Sequence, residues 1–460
     1  MDPKKKNGDF SQGSVVRGIL RLAIPMTLAQ LLNVGYNIVD RFFIGHIPEQ
    51  ATLSMTALGV CMPIITLASA FAYLCGIGGP PLFSMERGKG DEEEAAYVMG
   101  NCFTLLLCMG LGLTVVGLLF RQPMLYLFGA SEETYALAEG YLSIYLLGSV
   151  FVMITMGLNN FINAQGFGRT GMIAVAIGAV TNTILDPILI FGLQMGVRGA
   201  AIATVVAQFL AALWTLWFLT GPKALVPLKK KYMKLKFSRV KKIGGLGVTG
   251  FTMSATNSLV QISFNTNLQL FGGDPYVGAM TIVNTVREII SLPALALTDS
   301  AQPMISYNYG AKRYDRIKTA IKFMMISTIG YTLVMWFIVH TFPQFFIGMF
   351  SSDEEQLLIG IPAMRTYYFG FFMMALQFIG QTVFVALGKS KKAIFFSLFR
   401  KVVIVVPLTF ILPRVGFGVF GTFAAEPVSN FVGGLACFTT MMLTVWPELT
   451  RGEKEQKEQE

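Results

Sequence analysis

Residues 181–204 read TNTILDPILIFGLQMGVRGAAIAT. The stretch lies in a long apolar region, yet it carries an aspartate, Asp186. A carboxylate at membrane depth costs about a few kcal/mol or more, so it persists only where something pairs with it, hydrates it or uses it. Asn182 stands four residues earlier, on the same face of a helix. Pro187 has no N–H, which leaves the carbonyl of Thr183 without its helical partner. One carboxylate, one amide and one free carbonyl make a cluster of hard oxygens, the kind of group that protons and hard cations bind. A kinked helix with a hydrated acid gives the same local pattern, so the surrounding chain has to separate the two readings.

Outward from that stretch, the whole chain is apolar. Of 460 residues 53% are hydrophobic and only 13% charged, and the mean hydropathy is +0.59. Soluble proteins carry about 25% charged residues. Runs of about 20 apolar residues, the length that crosses a bilayer, recur throughout. The composition predicts an all-α polytopic membrane protein. Twelve spans are expected, near 17–44, 53–82, 95–119, 137–163, 169–192, 198–219, 243–270, 276–307, 318–341, 358–386, 393–412 and 417–445. The basic N-terminal stretch lacks a short apolar run ending at a small-residue cleavage site, so the first span is expected to act as the membrane signal.

The net charge of +10 would suit nucleic acid, but its distribution argues against such a partner. Lys4, Lys5, Lys6, Arg17 and Arg21 precede or open the first span and predict a cytoplasmic N-terminus. Alternate loops then hold most of the basic residues: Arg87 and Lys89, Arg169, the tract from Lys229 to Lys242, Lys312 to Lys318, and Lys389 to Lys392. The other loops hold Arg121, Arg198 and Arg414, with acids at Glu132, Glu133, Asp353, Glu354 and Glu355. An even number of spans places both termini in the cytoplasm. One inner loop, ERGKGDEEE at 86–94, is net acidic; acids count little in this rule. Residues 223–242 read as a basic cytoplasmic linker able to touch anionic headgroups. They separate an N-terminal lobe, 1–222, from a C-terminal lobe, 243–447. The tail, 448–460, has no apolar face and is expected to be disordered.

The two lobes are related. A shift of 222 residues puts Pro81 on Pro303, Ser84 on Ser306, Gly88 on Gly310, Tyr145 on Tyr367, Gly166 on Gly388 and Gly199 on Gly421. One fixed offset over more than a hundred residues indicates duplication. Six spans per lobe give both the same orientation, hence a pseudo-two-fold axis along the membrane normal and a cavity where the lobes meet. The lobes differ at the polar cluster: Asp186 falls on Leu408, Asn182 on Ile404, and Thr204 on Glu426.

Depth along each span can be estimated from a helical rise of about 1.5 Å per residue. Asp40 then lies about 28 Å outward from Arg21, Asp186 about 25 Å outward from Arg169, and Thr204 about 9 Å inward from Arg198. All three fall in the outer half of the bilayer at similar height. Two aspartates at one level cannot both ionise freely, which predicts a proton or a cation between them. Arg41 is next to Asp40, but consecutive helical residues point about 100° apart, so a direct pair is not expected. The second lobe has buried charges of its own: Arg287 and Glu288 mid-span, Asp299 nearer the cytoplasm, Arg400 and Lys401, and Glu426. They could line a cavity or hold helices together as ion pairs. The five cysteines and two histidines show no disulfide frame or metal-ligand spacing.

These residues resemble a known family. The run GAVTNTILDPILIFGLQMGVRGAAIATVVAQ at 178–208, NNFINAQGFGRT before it, YNIVDRFFIG at 36–45 and AQPMISYNYGAKRYD at 301–315 are similar to signatures of the multidrug and toxic-compound extrusion (MATE) family, in its bacterial multidrug-efflux branch. The resemblance covers essentially the whole chain. It implies a cation-coupled antiporter, not an enzyme: H+ or Na+ enters and an amphipathic, often cationic, organic compound leaves. No further cofactor is implied. The family's cation site maps onto Asp40, Asn182, Asp186 and Thr204, which would also be the metal ligands if Na+ is the ion. Pro25 matches the first-span proline at which that helix bends in some members, and Pro187 is the second helix-bending proline. The resemblance further implies a monomer in the bacterial cytoplasmic membrane. Asn163 departs from the pattern, standing where relatives often carry an arginine. An alternative within the same superfamily is a flippase for a lipid-linked precursor, which would want a cavity rich in positive charge. An intramembrane aspartyl protease is disfavoured by the contexts VDRF and LDPI. A nucleotide-driven pump is disfavoured because Val383 replaces the first P-loop glycine before GKS.

Overall fold

The computed structural model describes residues 10, 12–48, 51–350 and 354–459; Lys4, Lys5, Lys6 and Asp353 lie outside the described residues. Among the described residues there is no strand. The helices are α1 (Val15–Ile44), α2 (Ala51–Gly88), α3 (Glu92–Leu119), α4 (Arg121–Leu127), α5 (Glu132–Ala164), α6 (Gly168–Pro187), α7 (Gly196–Thr220), α8 (Phe237–Gly272), α9 (Asp274–Gly310), α10 (Tyr314–Thr341), α11 (Pro343–Gly348), α12 (Glu354–Tyr368), α13 (Phe371–Ala386), α14 (Ser390–Leu398), α15 (Val406–Leu412), α16 (Gly418–Ser429) and α17 (Leu435–Gln459).

Nine stretches among the described residues are long and apolar enough to cross a membrane. The pair α12–α13, bent by 44°, is a tenth crossing. The stretch Ser390–Glu458 counts as one of the nine, but at 69 residues it would extend about 100 Å if straight. Its backbone leaves the helical region at Val415 and Gly416, which divides it into two crossings. The twelfth is α8, 36 residues long, whose hydropathy is lowered by Arg239, Lys241 and Lys242 near its start and by Thr, Ser, Asn and Gln beyond them.

Contacts divide the chain into two compact units, residues 24–250 and residues 251–459, with residues 12–23 grouped in the second. Helix α1 runs unbroken through Pro25. In the first unit one apolar core gathers around Phe83, Met99, Leu106 and Phe161, another around Ile44, Ile64, Leu142 and Ile190. The second unit packs around Phe264, Met280, Val283, Tyr368 and Phe423. Within a bilayer such packing depends on small residues that let backbones approach. Helix α7 presents Gly199, Ala203, Ala207 and Ala211, every fourth residue and all buried. A Cβ on Gly199 would stand 2.8 Å from the Leu189 carbonyl, and Gly178 of α6 faces Ala207 and Ala211. The 222-residue offset carries this row onto Gly421, Ala425, Ser429 and Gly433 of α16 and the π turn Asn430–Gly434, all buried.

The basic linker belongs to the first unit and is held closely. Asn101, fully buried on α3, donates to the carbonyl of Lys234 at 3.0 Å and accepts the Lys236 N–H at 3.0 Å. Thr104 donates to the Met233 carbonyl at 2.8 Å, and Gln165 accepts the N–H groups of Leu225 and Val226. Arg239 engages both oxygens of Glu94, and Lys231 lies 3.4 Å from Glu93. The acids of the 86–94 loop thus neutralise linker cations.

One expectation fails. The tail from 448 is not disordered but forms the last turns of α17, through Gln459. Its Glu and Lys residues are good helix formers, Glu453 pairs with Lys457 at i,i+4, and Lys318 binds Glu453 at 2.8 Å.

Candidate functional site

In the first unit three helices place polar groups at one point. Asp40 comes from α1, Asn182 and Asp186 from α6, Thr204 from α7. The small-residue row explains the closeness of the last two helices: with Gly199 against the π turn Ile188–Gly192 and Ala207 and Ala211 facing Gly178 of α6, Thr204 reaches Asn182. Asn182 Nδ2 donates to Asp186 Oδ1 at 3.3 Å and to Thr204 Oγ1 at 3.4 Å. Asp186 is fully buried and Asn182 almost so. The carboxyls of Asp40 and Asp186 lie within electrostatic range of each other. Arg41 is exposed.

The hydrogen-bond count of this cluster does not close. Asp40 Oδ1, Asn182 Oδ1 and Asp186 Oδ2 are buried, and among the described residues none has a hydrogen-bond donor. Each buried acceptor left unsatisfied costs about 1–3 kcal/mol, and more for a charged group. Oxygens of this kind, on two acids and an amide, are the type that accepts a proton or a small hard cation. The π turn Ile188–Gly192 that follows Pro187 shows the helix leaving regular geometry directly after Asp186.

Two residues here were not anticipated. Tyr36, one turn before Asp40 on α1, and Tyr141 of α5 both lie within electrostatic range of the Asp40 carboxyl. The i,i+4 spacing of Tyr36 and Asp40 was the available signal for the first; none marked the second.

In the second unit the charges divide differently from expectation. Arg287, Arg400 and Glu426 meet: Glu426 Oε1 lies 3.7 Å from Arg287 Nη1 and 3.2 Å from Arg400 Nη1. Glu288 does not join them as a buried charge; as the next residue after Arg287 it turns to another face and is exposed. Asp299 is also apart, twelve residues beyond Arg287 and so about 18 Å further along α9.

A family model described as MatE matches residues 25–188 and 251–411, one segment in each unit. The chain belongs to the MatE family. Among relatives of this MatE protein, the multidrug export protein MepA of Staphylococcus haemolyticus (strain JCSC1435) is 26% identical over 92% of this chain and 93% of its own length. MepA of Staphylococcus aureus (strain MRSA252) is 25% identical over 94% and 95%. The fold matches the outward-facing conformation of a multidrug resistance MATE family transporter of the MOP superfamily, with a TM-score of 0.90, 21% identity, and coverage of 98% of this chain and 99% of that one. MATE transporters have twelve transmembrane helices in two lobes. This MatE chain is a multi-pass membrane transport protein.

Proposed function

We propose that this MatE protein is a cation-coupled antiporter that exports amphipathic, often cationic, organic compounds across a bacterial cytoplasmic membrane, with both termini inside and a monomer as the working unit. The observation that carries the reading is the trio of donor-less oxygens on Asp40, Asn182 and Asp186. A proton or Na+ binding there satisfies those oxygens and cancels carboxylate charge. The ion therefore favours whichever state of the protein gathers the four residues. Substrate favours a state in which they are less well gathered, so binding of one promotes release of the other. The relatives named as multidrug export proteins support the substrate class.

Efflux from proteoliposomes under separately imposed Na+ and pH gradients tests the scheme and identifies the ion. Organic-cation export that neither gradient accelerates would overturn it. The flippase alternative would draw on Arg287, Arg400 and Lys401. The space beside them is about 20 Å3, little more than one water needs and too small for a lipid-linked pyrophosphate.

A further inference from the structure

The second unit contains a larger cavity, lined by none of the charges that meet at Glu426. Its volume is about 570 Å3, within the range of about 300–1,000 Å3 that ligand pockets occupy. His340, Arg365 and Thr366 supply its polar groups, and the rest of the lining is apolar. His340 stands one residue before the end of α10, the end away from Lys312 and Arg313, and its ring stacks on Trp336 at 5.5 Å. Tryptophan near a span end is typical of the membrane–water interface. Arg365 of α12 lies within electrostatic range of His340, hence at a similar level. The apolar wall belongs to α16 and the π turn after it. It runs from Ala424 to Val432, about 12 Å of helix toward the bilayer centre. Phe369, Val428 and Val432 are exposed, so the cavity is open along one side.

Arg365 is exposed, and among the described residues it has no ion pair. The acids of its own helix, Glu354 and Glu355, stand ten residues or more away, about 15 Å. Thr366 is already engaged, donating to the Pro362 carbonyl at 2.8 Å. The 222-residue offset puts His340, Arg365 and Ala424 where the first unit has Leu118, Ser143 and Ile202. The second copy thus places an imidazole, a cation and a small side chain where the first has a leucine, a hydroxyl and an isoleucine. An arginine that only reached for headgroups would need no cavity beside it; here the charge and the space occur together.

We propose that this cavity binds an anionic phospholipid of the leaflet opposite the basic loops, with the phosphate on Arg365 and an acyl chain along residues 424–432. Charge-assisted bonds from a guanidinium are the strong recognition elements for phosphate. The apolar wall below the arginine matches a chain entering from the same end. A cationic organic compound would meet Arg365 as a like charge, and a soluble anion would make no use of the wall.

Photocrosslinking of the full-length protein in lipid nanodiscs tests the site. Phosphatidylglycerol and phosphatidylcholine probes, each with a diazirine in one acyl chain, are compared, and mass spectrometry locates the labelled residues. Leu443, exposed on α17 and outside the cavity, gives the reference for ordinary bilayer contact. The phosphatidylglycerol probe should label residues 424–432 about fivefold more than the phosphatidylcholine probe, the preference expected of one cation near the membrane surface. Arg365→Gln should abolish that preference. Ala424→Ile, which installs the side chain of the first unit, should fill the cavity and lower labelling by both probes. No ion gradient or efflux is involved, so the outcome is independent of the Asp40–Asp186 reading. The proposal is overturned if the two probes label the wall alike, if Arg365→Gln keeps the preference, or if Ala424→Ile leaves labelling unchanged. Displacement of the phosphatidylglycerol probe by inorganic phosphate would also overturn it, by assigning Arg365 to a free anion.

Discussion

Replacing Asp186 by asparagine removes one formal charge from the oxygen cluster while keeping its shape. The substituted side chain still offers Asn182 an acceptor, so the 3.3 Å contact and the fold survive. The bound ion loses more. A cation about 4 Å from a carboxylate gains about 4 kcal/mol at an effective dielectric of 20. At 1.4 kcal/mol per factor of ten, ion affinity falls about 10³-fold. Asp40→Asn should do the same from α1, and the double variant should cost less than the sum of the singles because both act on one ion. The assay is reconstitution at matched protein density, with gradient-driven efflux of a fluorescent organic cation measured beside its gradient-free binding. Gradient-driven efflux should vanish in each single variant while gradient-free binding persists. Either variant exporting at the wild-type rate refutes the reasoning.

Gly199→Ala places a methyl 2.8 Å from the Leu189 carbonyl and must push α7 from the π turn Ile188–Gly192 by about half an ångström. It should lower stability by about 1–3 kcal/mol, read as a lower melting temperature, and weaken the Asn182–Thr204 contact enough to reduce ion affinity. Asn101→Ala strands the Lys236 N–H and the Lys234 carbonyl, at about 1–3 kcal/mol. Limited proteolysis should then cut the 223–242 linker faster than in the wild type. Glu94→Gln removes the two-oxygen pairing with Arg239, a half-exposed link worth about 1 kcal/mol or less. Its melting temperature should change less with salt than that of the wild type, because screening has less to act on.

Much of the architecture was legible. Charge-free apolar runs report on spans because a bilayer tolerates little else, and the offset of 222 reports on the repeat directly. Asp40, Asp186 and Thr204 could be brought to one height from helical rise alone. Other features left no periodic trace. The bend at Phe369–Gly370 occurs within a continuous apolar run, so composition is blind to it. The close docking of the linker left no mark in its own sequence because its partners, Asn101, Thr104, Glu93 and Glu94, are over a hundred residues away. Tail residues with no apolar face still form a helix when continuous with a span and tied by Lys318. For Glu288 and Arg287 adjacency misled: neighbours on a helix face different surroundings.

The row of tiny side chains that recurs on α7 and α16 also bears on how such a chain can change over time. It fixes backbone spacing without specifying any chemistry, so each copy can swap its working groups and stay assembled. The first copy carries Asp186 where the second has Leu408, and the second carries Arg400 and Lys401 where the first has Gly178 and Ala179. The polar groups of either half can therefore change without disturbing the helix spacing of the other.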